Sequence, residues 1–170
     1  MKILAKVLNS IDTLSEWMGK AFSFLIVAIT IIEVREVVAR YIFGKPTDWS
    51  WELSTILYGI FFVMGGAWVL KEQRHVRTDI FYARLSSKMK AYVDLFFFPL
   101  LFFSFVLFLT WYSTEAAVRS VAIRETTYTV WAPPYYPSKI ALALGFVLLG
   151  LVGLAKWIRD LVFIVKGMTI

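Results

Sequence analysis

The chain has no cysteine and a single histidine, His75. Thiolate metal centres, iron–sulfur clusters and disulfides are thereby excluded, as is a haem held by two histidines of one chain. That matters because a small chain with several apolar stretches otherwise invites a cytochrome reading. Charge is scarce too: Asp, Glu, Lys and Arg make up 18% of 170 residues, and long runs carry none. There is no G-x-S-x-G, no Walker loop, no H-E-x-x-H and no cytoplasmic acidic cluster of the kind a membrane alcohol-phosphate transferase needs. No enzymatic activity, metal or cofactor is expected. The N-terminus lacks a short apolar core followed by a small-residue cleavage site, so no removable signal peptide is expected.

What the chain has instead is apolar surface. Hydrophobic residues reach 59%, with 15 Phe, and mean hydropathy is +0.70. A soluble domain of this size has too little interior to hide that much. The class expected is an all-α integral membrane protein, one membrane domain over 1–170. The net charge of +6 does not point to nucleic acid, because the basic residues flank apolar runs as the positive-inside rule requires.

Residues 1–19 alternate Leu4, Val7, Leu8, Ile11, Leu14 and Met18 with Lys2, Lys6, Asn9, Asp12 and Glu16 at helical spacing. This predicts an amphipathic helix in the interface plane, with Trp17 at headgroup depth; the alternative is the start of one long first membrane helix. A first span over 21–43 would be ~34 Å long. It ends unusually, with Glu33, Arg35, Glu36 and Arg40 inside eight positions. At 100° per residue, Glu33, Glu36 and Arg40 fall within about 60° of one another and Arg35 points away. Glu36 to Arg40 is the favourable i, i+4 order for an ion pair. Charges at that depth predict a polar seam against a partner helix; the alternative is a helix seated higher, with these residues at its wet end.

Gly44 to Asp48 form a polar turn, with Asp48 or Ser50 available to cap the next helix and Glu52 in its first turn. The second span, 51–70, opens on the interfacial Trp49 and Trp51, and Gly65-Gly66 gives it a smooth flank for a neighbouring helix. The loop 71–90 carries Lys71, Arg74, Arg77, Arg84, Lys88 and Lys90 against Glu72 and Asp79, and so reads as cytoplasmic and headgroup-facing, partly helical on the membrane surface. His75 there lacks companions for metal binding. The third span, 91–114, contains Pro99, a predicted kink. A periplasmic segment, 115–139, continues the helix and then returns through a Pro-rich aromatic stretch with Trp131, Tyr135 and Tyr136. The fourth span is 140–157, with Ala141, Gly145, Gly150 and Gly153 as small contact residues, and a cytoplasmic tail follows over 158–170. Twelve Lys and Arg fall on the side of both termini and the 71–90 loop, against Lys45, Arg119, Arg124 and Lys139 opposite. Four transmembrane helices with both termini cytoplasmic follow from that count.

Arg40-Tyr41-Ile42-Phe43, Trp49-x-Trp51-Glu52-Leu53, Phe61 to Ala67 and His75-Val76-Arg77-Thr78-Asp79 resemble the small membrane subunit of tripartite ATP-independent periplasmic (TRAP) transporters, the DctQ-like family. The resemblance covers about residues 20–160; Arg74 stands where that family has Gly. It implies a heteromeric complex in the bacterial inner membrane. A large polytopic subunit would move sodium and substrate by an elevator motion, and a periplasmic substrate-binding protein would deliver carboxylates. These would be C4-dicarboxylates or sialic acid, with sialic acid favoured on overall similarity. The small subunit would be scaffold, with Arg40, Glu52, His75 and Asp79 in interface or structural roles. Phospholipids are the further expected partner. Two other classes stay open: a self-sufficient homo-oligomeric transporter using Glu33 or Glu36, and a structural subunit of an unrelated membrane complex.

Overall fold

The computed structural model describes residues 2–72, 89 and 93–167. Arg74, His75, Arg77, Asp79, Arg84, Lys88 and Lys90, the basic-loop candidates, lie outside the described residues. Every regular element among the described residues is helical: α1 (Lys2–Ser23), α2 (Leu25–Tyr41), α3 (Ser50–Lys71), a π turn (Val93–Phe97) running into α4 (Phe98–Ala122), and α5 (Tyr136–Lys166). Three stretches are long and apolar enough to cross a membrane: Ser50–Lys71, Leu95–Ala122 and Tyr136–Val165. The helix that follows α1 is not among them. With 17 residues, four of them charged, α2 is only ~25 Å long.

The reason is where the helix break falls. Instead of breaking near residue 20, the helix runs on to Ser23, and Phe24 alone separates α1 from α2. Phe24 keeps a right-handed helical conformation, and its carbonyl accepts the Val27 N–H at 3.1 Å. α1 and α2 together lie antiparallel to α3. Glu16 reaches Lys71 at 2.5 Å, Gly19 abuts Trp68, and Glu36 meets Thr47 just before α3 begins. Residues 16–36 thus run the whole length of α3. The charged quartet comes out at the loop end of the bundle, where residues 42–49 and 123–135 also lie.

α5 is the hub, packed on α3 and α4. Ala67, Leu70, Leu148 and Val152 form the buried core, joined by Ile11, Met18, Phe102 and Leu149. Small residues permit this close approach, because a Cβ at Gly145 would overlap Val63 and one at Gly153 would overlap the Phe102 ring. α1 packs on the opposite end through Leu8, Ser15 and Gly19, and Arg159 of α5 takes Asp12 at 2.8 Å and Asn9 at 3.1 Å. The other side of α1, with Ile3, Val7, Leu14 and Trp17, is exposed.

Pro99 sits in the first turn of α4, directly after the π turn, so that two features which disturb regular helix bonding fall side by side. One local expectation is revised. Neither Asp48 nor Ser50 caps α3: the cap position is Trp49, without a side-chain bond, and the Ser50 hydroxyl is engaged by Thr47 at 3.1 Å. Gly44 ends the α2 segment as expected, at φ 62°, and lets the Lys45 N–H reach the Ala39 carbonyl at 2.9 Å.

Candidate interaction surfaces at the loop end of the bundle

Glu36 is the one buried carboxylate among the described residues, 7% exposed. The turn brings Thr47 against it, so that the Thr47 hydroxyl and N–H both donate to the carboxylate, the N–H at 3.2 Å. Arg40 donates to the same oxygen as the N–H, at 3.0 Å. The carboxylate is thereby satisfied without a partner chain. Arg35 does not point away as its helical angle suggests. Its long side chain folds back to 3.3 Å from the Thr47 hydroxyl and 3.8 Å from Glu36, and lies 4.8 Å over the Trp49 ring. Glu33 has no hydrogen bond or ion pair among the described residues.

Trp49 carries the cluster across the bundle, its ring 6.3 Å from that of Trp131. Glu52 does the same in polar form, accepting from the Thr129 hydroxyl at 2.6 Å. Trp51 stands outward, 76% exposed. The return between α4 and α5 is itself well tied. Arg124 takes a left-handed conformation, φ 48°, so that the Glu125 N–H bonds the Ser120 carbonyl at 2.9 Å and the Arg124 N–H bonds that of Val121. The Tyr135 N–H then reaches the Glu125 carbonyl at 2.8 Å. Lys139 closes the unit on the Glu125 carboxylate at 2.6 Å and holds that carboxyl below the usual range.

Of the residues singled out by sequence, the fold brings Arg35, Glu36, Arg40, Trp49 and Glu52 together. It leaves Gly65 and Gly66 apart on α3 with open space before them. Lys71, expected at lipid headgroups, is turned inward to Glu16. Thr47, Thr129 and the Glu125–Lys139 pair carry the site with them and were not singled out. Their partners lie across turns, and the only sequence signal was that Glu125 and Lys139 flank a Pro-rich return.

These features define a polytopic helical membrane protein whose described polar groups hold its own turns together. Over residues 26–163 the chain matches the family described as "Tripartite ATP-independent periplasmic transporters, DctQ component", and it belongs to that family. It is a small TRAP transporter subunit. Ninety-nine residues, 58% of the chain, are 28% identical to "Sialic acid TRAP transporter permease protein SiaT" of Haemophilus influenzae (strain 86-028NP). That match covers 16% of the relative, so the chain spans a small part of its length.

Proposed function

We propose that this subunit is the scaffold of a sodium-driven TRAP importer, sitting beside a large elevator-type membrane subunit that takes carboxylate substrates from a periplasmic binding protein. The observation that carries this reading is the family match joined to the relative's size: most of the sialic acid permease lies outside the matched stretch. The family, described as a component of tripartite transporters, supports pairing with a larger membrane subunit. The exposed faces agree. α3 presents Trp51, Tyr58, Phe62 and Val69 with Gly59, Gly65 and Gly66 on one side, and α4 is apolar on nearly its whole circumference. The only buried carboxylate described is held by an arginine and a threonine at the bundle's edge, which argues against a lone pump built on Glu36.

The first crossing runs from about Gly19 to Glu36, ~27 Å, alongside α3. It brings the membrane helices to four, with both termini cytoplasmic in the bacterial inner membrane. The exposed stripe of α1 then meets lipid at the cytoplasmic interface, and the basic loop meets anionic headgroups. Sialic acid is the favoured substrate on the relative's name, and a C4-dicarboxylate the alternative. Reconstitution of this subunit with its large partner and binding protein tests the reading. Uptake of sialic acid should require a sodium gradient and all three components. Uptake by this chain alone would contradict it.

A further inference from the structure

Along α4, Leu101, Phe105, Phe108 and Tyr112 recur at three- and four-residue steps and are all exposed, an apolar stripe facing away from the bundle. One turn further the same stripe turns charged, with Glu115 and Arg119. There a groove of about 310 Å³ opens between the end of α4, the return and the first turn of α5. Tyr112, Glu115, Arg119, Glu125, Tyr128 and Lys139 line it. Lys139 is engaged by Glu125. Glu115 and Arg119 are spaced i, i+4 in the order that ordinarily closes an ion pair, yet neither has an ion pair among the described residues. From Leu95 to Tyr112 the helix rises ~26 Å, close to the ~30 Å of bilayer hydrocarbon. Glu115 and Arg119 therefore emerge in the headgroup layer, directly beyond the acyl chains that the stripe meets.

We propose that this groove binds a phospholipid with a zwitterionic, primary-amine headgroup. The phosphate bonds to the Arg119 guanidinium, the ammonium to the Glu115 carboxylate, and Tyr112 and Tyr128 flank the headgroup. One acyl chain follows Phe108, Phe105 and Leu101. The charge balance of the groove selects the lipid. With Glu125 held by Lys139, the groove offers one carboxylate and one guanidinium that are free among the described residues. A net anionic headgroup would fill Arg119 and leave Glu115 without a cation, and a quaternary choline ammonium has no N–H to donate to Glu115. The site is independent of the scaffold reading and needs only that α4 crosses the membrane.

Native mass spectrometry of the full chain, titrated with phosphatidylethanolamine, phosphatidylglycerol and phosphatidylcholine of identical acyl chains, tests it. Ethanolamine adducts should form at about tenfold lower lipid concentration than the other two, the scale of one charge-assisted hydrogen bond. Arg119→Gln should weaken all three, whereas Glu115→Gln should remove only the preference for the amine. The swap Glu115→Arg with Arg119→Glu keeps both charges and should restore the preference, which separates recognition from loss of fold. Equal adducts of the three lipids on the wild-type chain, or an undiminished preference in Glu115→Gln, would overturn the proposal. A photo-crosslinking residue at Ala116 in native membranes should yield a lipid adduct. Capture of a polypeptide there would show that protein covers the groove, and would equally overturn it.

Discussion

One substitution, glycine to alanine, should act with opposite sign at two positions of this bundle. At Gly66 a Cβ meets nothing within 4 Å, so Gly66→Ala gains only the backbone term, roughly 0.5–1 kcal/mol of helix stability. At Gly145 the new Cβ overlaps the Val63 side chain and stands 3.2 Å from the Val63 carbonyl carbon and oxygen. The α3–α5 contact must open, at about 1–3 kcal/mol for overpacking, which outweighs the backbone gain. Gly153→Ala is intermediate, since its obstacle is the Phe102 ring, a side chain that can rotate. The Gly66 and Gly145 variants should therefore differ by roughly 1–3 kcal/mol. For a protein of this size that is about 2–12 °C between melting temperatures, read by tryptophan fluorescence in mild detergent. A larger residue sharpens the contrast: Gly66→Leu should leave the melting of the isolated chain nearly unchanged while weakening its capture of the large subunit. If Gly66→Ala destabilises the isolated chain as much as Gly145→Ala, the geometry of α3 assumed here is refuted.

Arg40→Ala should lower the melting temperature by several degrees and reduce co-purification of the partner subunit, because Glu36 keeps Thr47 but loses its nearest cation. Unchanged melting and uptake would count against the clamp. Arg124→Gly should raise stability by on the order of 0.5–1 kcal/mol, since glycine occupies φ 48° without steric cost; a lowered melting temperature would contradict this. The Glu125–Lys139 contribution has a pH signature. A carboxyl held below its ordinary range stabilises the fold fully above about pH 4.3 and ceases to do so as pH falls below that value. The melting gap between wild type and Glu125→Gln should accordingly be constant from pH 7 to 5 and close toward pH 3; a gap unchanged at pH 3 would refute the pairing.

How far the fold was legible in sequence depended on whether the partner of a residue was local. The helices α3 and α5, the Gly44 turn and the first-turn position of Glu52 followed from patterns within a few residues. The amphipathic period of α1 is local in the same way, whereas its extent, Lys2–Ser23, is not. What carries it past residue 19 is the Gly19–Trp68 contact and the Glu16–Lys71 pair, 55 residues apart, which no local period reports. Once that packing sets residues 16–36 alongside α3, the charged quartet falls at the end of the bundle. Its partner becomes Thr47, eleven residues on and ordinary in sequence as a turn residue. Arg35 was misplaced for a different reason: an angular projection fixes where a Cβ leaves the helix, whereas a guanidinium several ångströms further out can wrap to the neighbouring face. The Trp49–Trp131 contact belongs to the same class, visible only once two turns have met.

The central claim is that this chain works as the small partner of a larger transporter subunit. Its most direct test is a mild-detergent pull-down of the tagged chain from its native membrane, with co-purifying proteins identified and quantified. The account predicts one large polytopic membrane protein in equal amount, retained through size exclusion. A chain recovered alone as a stable homo-oligomer would contradict it.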